Sequence, residues 1–537
     1  MGVIAKQSIR GTIVTYLGIA VGVVTTFFVL TRFLSPEEIG LARVLIDAAT
    51  LFIGLAQLGT NASIIRFYPY FISYSESDPT AKVVLQRSGP TGAAGPNDHG
   101  FFFWALVVPF LGFILFAIIY WACRVPLGTW FGDKSPLFVE YYYFVLPLAF
   151  FMLYQAICES TCNVLMHIVV PRAVRELIVR IGLLALYLLY AFHVLSLDGF
   201  VIGLCVNYAI AALINLCYFF SLQPINLRPD WNFLRENKSL VRRYLTYTGF
   251  LIISAVTTVL APTLSSFFVT AKMGLDSTGI FAIATYMAVL VSVPNRSVAA
   301  IASPQLARAI KDQNRDECSH LIRQVTRNML LIGGFILLAI WLNIDLIFHI
   351  LPNGATYAQA KNVVLILGVS QLILGTFSIC FTALNYSRFY AFSLLFSLIL
   401  TISALLLNNY LVPRLGMEGA ALSNLLSYGL YYLLIVITII PLGHLRIVDK
   451  RWWLILALLF CLFALNWAWI TFLPSLNIWL DSILRSLVLI GSGALIAYKS
   501  NLSPEINQQL LRSLDVSKSR SLAITRSRDH EITKMRK

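Results

Sequence analysis

Apolar stretches long enough to cross a bilayer, about 20 residues each, recur about fourteen times along this chain. They lie near 12–34, 39–72, 100–122, 140–165, 174–193, 199–222, 244–270, 278–302, 326–349, 360–384, 388–410, 418–441, 452–473 and 478–499. Inside lipid a backbone must satisfy its own hydrogen bonds, so such runs are helices. Only 12% of residues are charged, against about 25% in a soluble protein. The expected fold is therefore an all-α polytopic membrane protein. The first run extends to about Leu34, beyond the roughly 7–15 residues of a signal-peptide core, and reads as a retained span.

The connections carry their charge unevenly. With the N-terminus inside, the inner segments hold Lys6, Arg10, Lys82, Arg87, Arg172, Arg175, the cluster from Arg228 to Arg243, the run from Arg308 to Arg327, Arg388, Arg446, Lys450, Arg451 and the basic tail. The outer connections hold only Arg124, Lys134, Lys272 and Arg414. This is the positive-inside pattern for an even number of spans with both termini in the cytoplasm. The net charge of +15 is dispersed between apolar spans, so nucleic acid is not an expected partner. Segments 223–243 and 304–325 mix Leu, Trp and Ile with basic residues and read as interfacial helices on an anionic leaflet.

The most informative local unit is RFLSPEEIGLARVLIDAATLFIGLAQLGTNASIIRFYPYF, Arg32 to Phe71. Ser35 with Glu38 three residues later is a capping box, and Pro36 occupies a first-turn position with no N–H to satisfy. The helix that follows carries Arg43, Asp47, Gln57, Asn61 and Arg66. Each charge costs several kcal/mol at bilayer depth, so this helix is expected to line something wet.

Part of this unit recurs. FFVLTRFLSPEEIGLARVLIDAATL (27–51) parallels SFFVTAKMGLDSTGIFAIATYMAVL (266–290), and 189–216 parallels 407–434, at offsets of about 220–240 residues. Two six-helix lobes in parallel repeat, 1–222 and 244–445, are expected around a central cavity. They are joined by the amphipathic linker 223–243 and followed by two added helices (446–499) and a basic tail (500–537).

The stretches QSIRGTIVTYLGIAVGVV, RFLSPEEIGLARVLIDAATLFIGLAQLGT and LGMEGAALSNLLSYG resemble the oligosaccharide flippases of bacterial polysaccharide biosynthesis. That family shares its superfamily with multidrug extruders and the lipid II flippase. The likeness runs from about residue 7 to 445 and specifies cargo poorly. It implies a bacterial inner-membrane transporter that moves an undecaprenyl-diphosphate-linked glycan, such as an O-antigen or lipopolysaccharide precursor, to the outer face. It also implies ion-coupled alternating access, with H+ or Na+ as the coupling ion, and leaves open whether the protein works alone or beside a glycan polymerase.

A diphosphate cargo asks for cations in a wet cavity. Arg296, beside Pro294 and Asn295, would grip it through paired hydrogen bonds, or else snorkel to the interface. Arg66 would meet it at the inner end of the second span, or anchor that end. Arg32 and Lys272, at matching outer ends in the repeat, would draw it outward or serve as interface anchors. Asp47 is a coupling-ion candidate, or a structural partner of Arg43 one turn away, and Arg43 is itself a candidate cavity cation for the cargo. Glu159 and Arg180 are intramembrane charges that pair across helices, or else Glu159 is the second coupling-ion candidate and Arg180 a further cavity cation for the cargo. Tyr141-Tyr142-Tyr143 and Trp452-Trp453 read as interface aromatics.

No P-loop, GxGxxG or triad spacing occurs, and no cofactor is implied. The eight cysteines sit mostly within spans as packing residues and hold no zinc-type spacing. Two rival functions remain: a cation-coupled multidrug extruder of the same fold, and a membrane glycan polymerase or ligase. The short outer connections disfavour the polymerase or ligase.

Overall fold

The computed structural model describes residues 3–61, 63–64, 67–68, 99–165, 167–222, 229–387, 389–443, 447–472 and 477–507. Every regular element among them is helical. Eleven helices among the described residues are long and apolar enough to cross a membrane, and the fold is that of an all-α polytopic membrane protein.

Three of the fourteen expected spans are not among these eleven. The fifth expected span is a helix running through Val169–Ala173, a π-turn at Val174–Ile178 and Val179–Ala191, and it carries Arg172, Arg175, Glu176 and Arg180. The seventh lies within the 36-residue helix Lys238–Met273, whose described apolar part is Val259–Met273. The eleventh and twelfth run together in Ala391–Gly443, 53 residues, broken at Gly416 with φ 60° and ψ −135°. At 1.5 Å per residue that stretch far exceeds one bilayer crossing. Gly416 supplies the backbone conformation that an L side chain resists, so the chain changes direction there.

The residues fall into two compact units. The first comprises Met1–Tyr286, Phe348–Leu367 and Leu394–Tyr431. At its centre is helix Pro36–Ala56, packed against Phe101–Ala122, Val145–Val164 and Lys238–Met273. Its capping box is formed: Glu38 N donates to Ser35 Oγ at 3.3 Å and Ser35 N to Glu38 Oε2 at 2.8 Å. The same carboxylate accepts from the Tyr190 hydroxyl.

Two expectations for this helix are corrected. It is interrupted after Ala56 by a turn with Leu58 (φ 47°) and Gly59 (φ 71°) both left-handed, and helical residues resume at Thr60. It is also the most buried of the eleven candidate spans, with 67% of its apolar window enclosed by protein. Across and beyond that turn, Asn61 Nδ2 donates to Gln57 Oε1 at 2.8 Å and Ser63 pairs with Thr248 at 2.9 Å, while Asn61 Oδ1 is buried without a described partner.

Near its start this helix meets Leu275–Val289 backbone to backbone. A Cβ on Gly40 would overlap the Leu275 carbonyl, and one on Gly279 would overlap the Pro36 carbonyl. Only glycine permits this approach from both sides. Nearby, Asn353 Nδ2 donates to Thr31 O at 2.9 Å.

The second unit comprises Met287–Ile347, Gly368–Ser393 and Tyr432–Lys537. Helices Val293–Lys311 and Arg315–Leu342 form a hairpin turned at Asp312–Asn314, with Asn314 capping the second helix through Glu317 N. Segment 304–325 is therefore this hairpin's tip and not a separate interfacial helix. Of the other such segment, Trp231–Glu236 is a short helix, and Lys238 already begins a long one. The last two helices pack on Arg315–Leu342 through Leu330, Leu331, Ile455, Leu459 and Leu502. Arg327 is held between Asp449 at 2.9 Å and Glu505 at 2.6 Å.

Tyr141 and Tyr142 are buried, unlike interface markers. Tyr142 stacks on Tyr120 with centroids 4.1 Å apart, and Tyr141 donates to Asp198 at 2.6 Å. Trp453 is exposed and Trp452 half-buried. Loop 73–98 and the tail from 508 lie outside the described residues.

Candidate functional site

Two charged clusters occupy the helices of the first unit. The first sits on helix Pro36–Ala56, where Arg43 Nε donates to Asp47 Oδ2 at 2.8 Å across one turn. The Arg43 guanidinium also lies 5.2 Å from the centroid of Tyr286, on Leu275–Val289. Asp47 is buried, so its charge is sustained by a partner on the same helix and not by water.

The second cluster differs from expectation. Glu159 and Arg180 do not pair with each other. Arg175 Nη1 donates to Glu159 Oε1 at 2.8 Å, bridging from the π-turn to helix Val145–Val164. Arg175 Nε and Nη2 both reach Glu176 Oε1, at 3.3 and 3.2 Å. Glu176 Oε2 accepts from Arg180 Nη2 at 2.9 Å, and Arg180 Nη1 donates to the Gly18 carbonyl at 2.7 Å. The order is thus Glu159–Arg175–Glu176–Arg180–Gly18 O.

The first helix makes room for this ladder. A Cβ on Gly18 would collide with the Glu176 backbone, and one on Gly22 with the Arg180 guanidinium. These two glycines, four residues apart, give one bare face on which a charged turn can lie against main chain. Arg175 and Glu176 were not candidates from sequence: Arg175 counted as an inner-loop cation, and Glu176 was not singled out. The i,i+4 spacing of Glu176 and Arg180 within an apolar run was the available signal.

The remaining candidates stand apart from these clusters. Arg32 is exposed and lines a cavity of about 230 Å³ together with Ser35, Asn353, Thr356 and Tyr357. Lys272 is exposed in the last turn of Lys238–Met273. In the second unit, Arg296 is exposed on Val293–Lys311, a helix that restarts at Pro294 after a 3-10 turn at Leu290–Ser292. Its neighbours are fixed: Ser378 donates to Asn295 Oδ1 and Ser292 to Gln371 Oε1, both at 2.8 Å. No hydrogen bond or ion pair engages Arg296 among the described residues. Arg66 lies outside the described residues.

No protein-family model matches the chain, and no curated protein matches it in sequence. Solved structures do match in fold. The lipid II flippase MurJ, in an inward-closed conformation, aligns at 13% identity with a TM-score of 0.65, covering 92% of this chain and 99% of that one. An inward-facing multidrug resistance transporter of the MATE family, of the MOP superfamily, aligns at 13% identity with a TM-score of 0.57, covering 83% and 96%. A variant of the Vibrio cholerae MATE transporter VcmN aligns at 16% identity with a TM-score of 0.53, covering 81% and 98%. At such identities the likeness is one of fold. The chain has the polytopic helical fold that MurJ and the MATE transporters share.

Proposed function

We propose that this protein is a transporter of the MOP superfamily and carries an anionic, lipid-linked cargo across a bacterial inner membrane. The cargo is an undecaprenyl-diphosphate-linked glycan moved outward by ion-coupled alternating access, with both termini in the cytoplasm and no bond chemistry. The supporting observation is the charge balance of the candidate groups. Asp47, Glu159 and Glu176, the carboxylates deep in the first unit's helices, are each held by arginine. Arg32, Lys272 and Arg296 are exposed cations with no described counter-ion. A pocket for cationic drugs would need the reverse, a carboxylate left open to its ligand. The same bookkeeping leaves Asp47 and Glu159 as groups able to exchange an arginine for a coupling ion.

The test is a strain lacking this protein, with polyprenyl-linked glycans extracted and assigned to a membrane face. Accumulation on the cytoplasmic face, with loss of one surface polysaccharide, is the expected result. Normal surface glycan with raised sensitivity to cationic drugs would replace this reading with the extruder. Within the flippase reading, Arg296→Ala lowers surface glycan at normal membrane abundance, and Arg296→Lys restores part of it. Unchanged glycan in the Ala variant removes Arg296 from the site.

A further inference from the structure

The Glu159–Arg180 ladder is not uniformly fixed, and its looser end has an open side. Glu176 is 7% exposed and gripped by two arginines, while Arg180 is tied to both Glu176 and the main chain of the first helix. Those two are scaffold. Arg175 is 50% exposed although it sits beside two carboxylates. A guanidinium offers five N–H donors, and three of them are taken here, one by Glu159 and two by Glu176. The other two face no described acceptor.

Arg172 lies three residues earlier on the same helical face, half-buried, its side chain in no described hydrogen bond or ion pair. Together the cluster holds Arg172, Arg175 and Arg180 against Glu159 and Glu176, an excess of one positive charge. It lies where Val145–Val164 ends and the next helix begins, at the face that the charge distribution places inside.

We infer that Arg175, with Arg172, forms an inner-face loading site for the phosphate group of a membrane lipid, and that Glu159 competes with that phosphate for Arg175. This inference rests on the anionic-cargo reading and deepens it. Arginine's planar fork matches phosphate oxygens in pairs, and such a contact draws on the two uncommitted N–H groups together with the one that Glu159 gives up. Glu159 is the carboxylate that can give way. Among the described residues its carboxylate has one hydrogen bond, from Arg175, whereas Glu176 keeps Arg180 whether or not Arg175 moves. An arriving phosphate therefore meets a cation already oriented by Glu176, and its cost is the loosening of one ion pair.

The experiment measures binding of undecaprenyl diphosphate to the full-length protein in nanodiscs, with undecaprenol, phosphatidylglycerol and inorganic pyrophosphate as comparison probes. Arg175→Gln should weaken undecaprenyl diphosphate binding by about ten-fold or more, the loss of a charge-assisted pair. Glu159→Gln should tighten it by several-fold, a gain that misfolding cannot imitate. Undecaprenol should bind equally to all variants. Unchanged undecaprenyl diphosphate affinity in Glu159→Gln would overturn the competition, and unchanged affinity in Arg175→Gln would overturn the site. Equal sensitivity with phosphatidylglycerol would assign the pocket to bulk phospholipid and overturn its role in loading. Equal sensitivity with pyrophosphate would make it a site for free phosphate, with the same consequence. Binding is read here without transport, so a failed flippase assay would leave these outcomes standing.

Discussion

The reciprocal contact between Gly40 and Gly279 can be broken one methyl at a time. An alanine Cβ at position 40 would stand 2.8 Å from the Leu275 carbonyl carbon and 3.1 Å from Gly279 N. One at position 279 would stand 2.8 Å from the Pro36 carbonyl carbon and 3.1 Å from Pro36 Cα. Ordinary contact begins near 3.4 Å, so the carbonyl carbons must withdraw by at least 0.6 Å (3.4 less 2.8), and their oxygens by more. Every obstructing atom is backbone, so no side-chain rotation relieves the overlap and the two helices must part. Forced insertion of a methyl group into a close-packed site costs about 1–3 kcal/mol, and a backbone obstacle places these variants toward the upper part of that range.

The double variant separates this mechanism from two unrelated defects. The parting that admits one Cβ also makes room for most of the other, because each glycine faces the carbonyl beside its partner. Gly40→Ala with Gly279→Ala should thus cost clearly less than the sum of the single changes, a coupling of about 1 kcal/mol or more. The assay is the unfolding midpoint of the purified protein in one detergent, followed by tryptophan fluorescence. Strictly additive losses, or no loss in either single variant, would refute the reasoning.

Two further outcomes follow from the charged groups outside the central helices. Arg327→Ala leaves Asp449 and Glu505 facing each other without a cation, and should cost about 3 kcal/mol, the low end for breaking a buried pair because both carboxylates are about a quarter exposed. Limited proteolysis should then cut nearer the last two helices, and Arg327→Lys should recover only part of the loss, since an ammonium lacks the fork that spans two carboxylates. At the surface, His99 Nδ1 and the Phe233 N–H hold the Asp230 carboxylate below its usual range. A depressed carboxylate stabilises the fold above its unfolded pKa of about 3.9, and loses that effect as the pH falls through the lower folded value. Asp230→Asn should therefore lower the midpoint at pH 7, with the gap to the parent protein closing below about pH 4.

The sequence-level reading succeeded where a pattern and its physical cause coincide. Capping at Ser35 was legible because it needs only a hydroxyl, a carboxylate three residues on and a proline between. The proposed sequence repeat coincides with one contact: Gly40 and Gly279, and Pro36 and Leu275, stand at one offset of 239 (279 less 40, 275 less 36) and touch reciprocally. What was hidden is the choice among partners. Arg180 had carboxylates at Glu159 and Glu176 within reach of any reasonable helix arrangement, and one-dimensional spacing favours the i,i+4 neighbour only if the helix is regular there. A π-turn at Val174–Ile178 and two glycines on a helix more than 150 residues away settle the ladder's order. The same limit explains the central helix. Polar residues in a span announce that something must satisfy them, and a wet cavity is one answer. Here the answer for Arg43, Asp47, Gln57 and Asn61 lies largely one turn along the same chain, Arg43 to Asp47 and Gln57 to Asn61, each four residues apart. Pairing over four residues, within the helix for Arg43–Asp47 and across its terminal turn for Gln57–Asn61, lets polar side chains occupy the middle of a unit.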